Sequence, residues 1–149
     1  MNQNISLRLH HFGITVTNLE ETIDWYSEKL GFTYDYTYEI AALKMKAAFM
    51  SLGDFRLEIF EVQNSDPMPT YRNNVAANIG VRGLNHVALG IPDIEAAYHT
   101  LKDRGIEFVA EITEIPNSHG ERYTFFKDNN GVLIELFQPN PQNDQQGAN

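Results

Sequence analysis

Cysteine is absent from the 149 residues, which removes a disulfide framework, a thiolate nucleophile and any Cys-based zinc site. Basic residues are few: 11 Lys and Arg stand against 20 Asp and Glu, for a formal charge of −9. A chain this acidic has no electrostatic footprint for a phosphate backbone or an anionic lipid surface, so nucleic acid and membrane are excluded as partners. Long apolar runs are missing too; none approaches the roughly 20 residues that span a bilayer. Met1–Ser6 carries neither the basic nor the apolar region of a secretion signal, and the expected location is the cytoplasm. What is present is 42% hydrophobic and 21% charged, an ordinary globular composition of one domain's length.

The chain reads as one unit written twice. HFGITVTNLEETIDWYSEKLGF begins at His11, and HVALGIPDIEAAYHTLKDRGIEF begins at His86, 75 residues later. Within them Asn18 matches Asp93, Leu19 matches Ile94, Glu20 matches Glu95 and Tyr26 matches Leu101. Further on, Leu57-Glu58-Ile59-Phe60 matches Ile134-Glu135-Leu136-Phe137. Each module thus opens on a histidine and closes on a glutamate, and self-similarity of this kind governs the whole fold reading.

Phe12, Ile14 and Val16 alternate with His11, Gly13 and Thr15, the period of a strand. Asn18 then caps a helix with Leu19, Ile23, Tyr26 and Leu30 inward, stopped by Gly31. Asp93 caps a second one, with Ile94, Ala97, Tyr98 and Leu101 inward and Gly105 as its stop. Strand-like runs follow at 33–39, 46–52 and 56–62, and again at 107–113, 123–127 and 132–138, separated by turn-forming residues. The predicted class is α+β: two βαβββ modules forming a curved, mostly antiparallel sheet. The divisions are an extension over 1–7, modules over 8–62 and 83–138, a connector over 63–82 and a flexible tail over 139–149. All of this makes one structural domain.

Four residues stand out against that pattern. Leu133–Phe137 is apolar on both faces, yet Glu135 sits in its middle, and Glu58 holds the same place in the first module. A carboxylate buried without a partner costs several kcal/mol, so a partner is required. His11 and His86, each in an apolar strand, are the matching candidates. Two imidazoles and two carboxylates make a set of nitrogen and oxygen donors suited to a divalent cation.

These motifs resemble the vicinal oxygen chelate superfamily, which includes glyoxalase I, methylmalonyl-CoA epimerase, extradiol dioxygenases and bleomycin-resistance proteins. The carriers are His11-Phe12-Gly13, Leu30-Gly31-Phe32, Leu57-Glu58-Ile59-Phe60, Leu84-Asn85-His86-Val87-Ala88 and Gly131-Val132-Leu133-Ile134-Glu135-Leu136. The resemblance implies a curved sheet around a cleft that holds a metal ion (Zn, Ni, Co, Mn or Fe) on His11, Glu58, His86 and Glu135. It also implies a lyase, isomerase or epimerase of the glyoxalase type. Proton abstraction would occur next to a chelated carbonyl or enediolate oxygen of a small substrate, with Glu135 as base and Glu58 as ligand and charge balance. Such proteins pair their modules within one chain or across a homodimer, the assembly expected here. Thr15 stands where bacterial glyoxalase I has an arginine for glutathione, which speaks against that cofactor.

Arg122, Tyr34 and His119 are further candidates for substrate contact: a bidentate donor, a strand tyrosine and a loop histidine. His10 is read as pointing away from His11. Two other functions compete. An Fe(II) extradiol-type dioxygenase would need Glu58 off the metal, and a non-catalytic small-molecule-binding protein of the resistance type would need no ligands at all.

Overall fold

Alternating apolar side chains put Phe12, Ile14 and Val16 on one side of the first strand, and the backbone follows with β1 (His11–Val16). The structure, a computed structural model, describes residues 7–140; the extension up to residue 6 and the tail from 141 lie outside the described residues. The chain divides into two compact units, one ending at Asp66 and the other beginning at Pro67.

In the first unit β1 is followed by α1 (Leu19–Trp25), which widens into a looser helical turn over Tyr26–Leu30. Gly31 ends that turn at φ 76°, a left-handed conformation that glycine adopts without strain. β2 (Thr33–Ile40), β3 (Met45–Leu52) and β4 (Phe55–Val62) complete a sheet of order β1-β4-β3-β2. β1 runs parallel to β4, and the other pairs are antiparallel. Asn18 caps α1 through Glu21 N, as its residue type predicts, while Glu61 Oε2 accepts from Leu19 N at 2.7 Å. The helix packs on β3 and β4, with Leu57, Ile59 and Met50 in the core. Full burial of each such side chain contributes roughly 1.5–3 kcal/mol. One expected core position shifts: Thr22 is fully buried and Ile23 only half-buried. Thr22 can take that place because its hydroxyl bonds back to Asn18 O at 2.8 Å, which satisfies the donor.

The second unit repeats the plan with β5 (Val87–Gly90), α3 (Ile94–Asp103), β6 (Thr113–Glu114), β7 (Arg122–Lys127) and β8 (Leu133–Gln138), ordered β5-β8-β7-β6. Asp93 caps α3 through Ala96 N, and Gln138 Oε1 accepts from Ile94 N at 2.9 Å, the counterpart of Glu61. The two helices are therefore anchored to their sheets by equivalent residues.

One expectation needs correction, and one segment gains detail. The segment read as a connector contains a tight turn over Thr70–Asn73 and α2 (Val75–Ile79). Asn74 caps α2 through Ala77 N, a signal too local to show in hydrophobic periodicity. The strand expected over 107–113 shrinks to Thr113–Glu114 and an isolated bridge between Phe108 and Phe126. There side chains replace the ladder: Phe108 stacks against Tyr98 at 4.2 Å, and Thr124 Oγ1 donates to Ala110 O at 2.6 Å.

Candidate functional site

Each sheet has a helix-covered face and an opposite face, and the pairing register sorts the residues between them. On β4, Leu57 and Ile59 face α1, so Arg56, Glu58 and Phe60 lie opposite. His11 and Gly13 share that second face through the register of β1 on β4. The result is a contact 47 residues apart in sequence: His11 Nε2 lies 3.2 Å from Glu58 Oε2. In the second unit His86 Nε2 lies 3.2 Å from Glu135 Oε2. Both carboxylates are mostly buried, 15% and 14% exposed, although neither is fully enclosed as the sequence suggested.

An aromatic ring supports each pair. Phe49 sits opposite Glu58 on β3 and meets the His11 ring edge-on at 5.4 Å. Phe125 sits opposite Glu135 on β7 and meets His86 edge-on at 5.0 Å. These phenylalanines are interior positions of apolar strands, and nothing local marks them as supports of a histidine.

Around this shared plan the two pairs differ. Tyr38 donates its hydroxyl hydrogen to Glu58 Oε1 at 2.5 Å. The bond to a carboxylate, with burial adding to it, pushes the Tyr38 phenol up to about 12. His10 Nδ1 lies 2.7 Å from His11 Nδ1, a contact that sequence reading missed by assigning the two rings to opposite directions. If His11 presents Nε2 as a lone pair, its Nδ1 carries the hydrogen and donates it to His10. In the second unit, Asn85 stands before His86 and its side chain bonds instead to Asn78 O and Val81 O. Among the described residues, Glu135 has His86 as its one polar partner. Burial pushes the Glu135 carboxyl up, with the neighbouring His86 pulling the other way.

The other candidates fall elsewhere. A bulge at Asp35 breaks the alternation of the β2 tyrosines, so Tyr34 is paired with Met50 and Tyr36 with Phe49. Tyr34 therefore turns to the helix side and bonds Thr37 Oγ1 at 2.9 Å, leaving Tyr36 and Tyr38 on the face of Glu58. Asp35 accepts from Ser51 and forms an ion pair with Arg56 at 2.9 Å; the Ser51 bond chiefly, then Arg56, holds its carboxyl below the usual range. Arg122 pairs with Glu95 at 2.9 Å and donates to Gln138 Oε1, on the face opposite Glu135, where it ties α3 to its sheet. His119 is exposed on a turn at φ 60°, and its carbonyl accepts from Asn140.

Among the described residues no three His, Asp or Glu side chains gather into one cation-binding group; each unit brings one histidine and one glutamate together. The donor chemistry of each pair nevertheless fits a divalent ion: a partly exposed imidazole beside a carboxylate that, among the described residues, has no Lys or Arg partner.

A family model described as the glyoxalase/bleomycin resistance protein/dioxygenase superfamily matches residues 8–136. The chain belongs to this superfamily. Among the superfamily's members, the mitochondrial methylmalonyl-CoA epimerase of Mus musculus is 28% identical over 134 residues, covering 88% of this chain and 72% of that protein. A probable lactoylglutathione lyase of Vibrio cholerae is 28% identical over 131 residues, covering 88% and 90%. The solved structure of a glyoxalase family protein from Enterococcus faecalis superposes with a TM-score of 0.74 at 28% identity, covering 87% of this chain and 96% of that one. The superfamily thus includes epimerases and lyases, and its fold is the one described above. No helix among the described residues is long and apolar enough to cross a membrane.

Proposed function

We propose that the chain is a metal-dependent lyase, isomerase or epimerase that removes a proton next to a carbonyl oxygen of a small substrate. The observation that carries this reading is the unequal treatment of two glutamates in equivalent positions: Glu58 has both oxygens engaged, and Glu135 has one. His11, Glu58, His86 and Glu135 would together hold a Zn, Ni, Co, Mn or Fe ion, with the two pairs joined within one chain or across a homodimer. When bound, the ion supplies Lewis-acid polarisation of the substrate oxygen, which acidifies the neighbouring C–H. Glu135 then takes that proton on its oxygen and later returns it to the same carbon or the next one. Burial, by raising its proton affinity, brings Glu135 nearer to what a general base needs. Glu58, held between His11 and Tyr38, keeps its orientation throughout.

Protein purified without chelator should carry close to one divalent ion per four-residue set, and EDTA should lower its melting temperature by removing a ligand of the native state. The apo and reloaded protein should then be screened on 2-oxo acids, hemithioacetals and acyl-CoA thioesters in D2O for metal-dependent deuterium uptake. Absence of metal, together with a melting temperature that ignores EDTA, would overturn the reading. Oxygen consumption with a catechol after iron loading would favour ring cleavage instead.

A further inference from the structure

We infer that Tyr38 is a positioning residue that makes Glu58 a one-oxygen ligand, an inference that rests on the metal-centre reading above. Tyr38 lies on β2, two strands away from Glu58, in register with Ala47 of β3, which is in turn in register with Phe60. Ala47 is fully buried and carries only a methyl group, so the phenol can extend over it to reach Glu58 Oε1. Phe49 stacks against the Tyr38 ring at 6.3 Å, with 26° between the planes, and holds it over the sheet. The hydroxyl occupies Oε1 while Oε2 stays turned to His11, so a cation approaching this pair finds one carboxylate oxygen available.

The second unit shows that this is not forced by the fold. In its register Thr113 stands where Tyr38 stands, and Tyr123 stands where Ala47 does, with Phe137 beyond. Thr113 is too short to reach a carboxylate two strands away, and its hydroxyl donates to Glu111 O at 3.1 Å. Tyr123 fills the space that Ala47 leaves open, packing against Phe125 at 5.8 Å. The same positions thus carry a long donor over a small residue in one unit and a short donor behind a large residue in the other. Among the described residues, of these two glutamates only Glu58 is held at its second oxygen.

The probe is Co2+, titrated into apo wild-type protein, Tyr38→Phe and Tyr34→Phe, with the d–d absorption recorded. Tyr38 is a half-buried residue on an edge strand, so its phenylalanine variant should keep a wild-type melting temperature in the apo form. Loss of the hydroxyl frees Oε1, and the d–d band should change as the carboxylate rearranges. Affinity for Co2+ should fall about 10–100-fold, the usual effect of removing a hydrogen bond to a ligand. Tyr34→Phe, on the other face of the sheet, should reproduce the wild-type spectrum and affinity. Wild-type protein that binds Co2+ while Tyr38→Phe shows the same spectrum and affinity would overturn the positioning role and leave the metal reading standing. Wild-type protein that takes up no Co2+ would overturn the metal reading, and this inference with it.

Discussion

The two units share a sheet order, a helix anchor, a histidine, a glutamate and a supporting phenylalanine, yet only the first ties its pair down. His11 has His10 behind it and Glu58 has Tyr38 beside it, whereas His86 and Glu135 have each other. A repeated fold therefore preserves where the histidine and the glutamate stand without preserving how firmly they are held. The difference comes from neighbouring strands: β2 runs for eight residues along β3, while β6 has two. A full edge strand can bring a tyrosine over the sheet, and a two-residue one cannot. Restraint suits a ligand, and freedom at one oxygen suits a group that must take and release a proton.

The largest expected effect separates the two glutamates. With metal reloaded at saturation, Glu135→Gln should lose about 10²–10⁴-fold in turnover or deuterium exchange, the contribution of a general base. Glu58→Gln should stay within about tenfold, since a carboxamide oxygen can still coordinate a cation. If Glu58→Gln proves the inactive one, the roles are reversed and the hydrogen bond from Tyr38 does not mark a ligand.

A smaller effect tests the packing of the same faces. Gly13 and Ala88 occupy equivalent positions, opposite Glu58 and Glu135 respectively. A Cβ on Gly13 would meet the Phe60 ring at 3.0 Å, so the ring must give way. Gly13→Ala should destabilise by about 1–3 kcal/mol, the usual range for overpacking, read from urea unfolding by the fluorescence of Trp25. Phe60→Leu in the same chain should recover most of the loss; a Gly13→Ala variant as stable as the wild type would show that the two faces pack alike.

The smallest effect lies in the pH dependence of metal-free stability, where two carboxylates should act in opposite senses. Asp35 has a lowered folded-state value, so its contribution is present above its unfolded value of about 3.9 and is lost as pH falls through the folded one. Glu135 has a raised value, so its contribution is present below about 4.3 and is lost as pH rises through the folded one. In urea melts from about pH 3 to 6, Asp35→Asn should flatten the acid side and Glu135→Gln the rise side. Curves that respond alike to both substitutions would remove the contrast between the environments.

The sequence by itself determined the repeat, the order of strands and helices in each module, the caps Asn18 and Asp93, and the pairing of each histidine with its glutamate. These follow from local periodicity, from cap chemistry and from a spacing written twice, all of which survive without knowledge of the fold. Tertiary structure alone decided which tyrosine reaches Glu58, because one bulged residue at Asp35 moves Tyr34 to the other face and leaves Tyr38 in place. It also turned His10 onto His11, drew Arg122 away to Glu95 and Gln138, and buried Thr22. Cross-strand register and edge-strand length set these contacts. Both depend on residues dozens of positions apart, and a side chain's face reverses when the register slips by one.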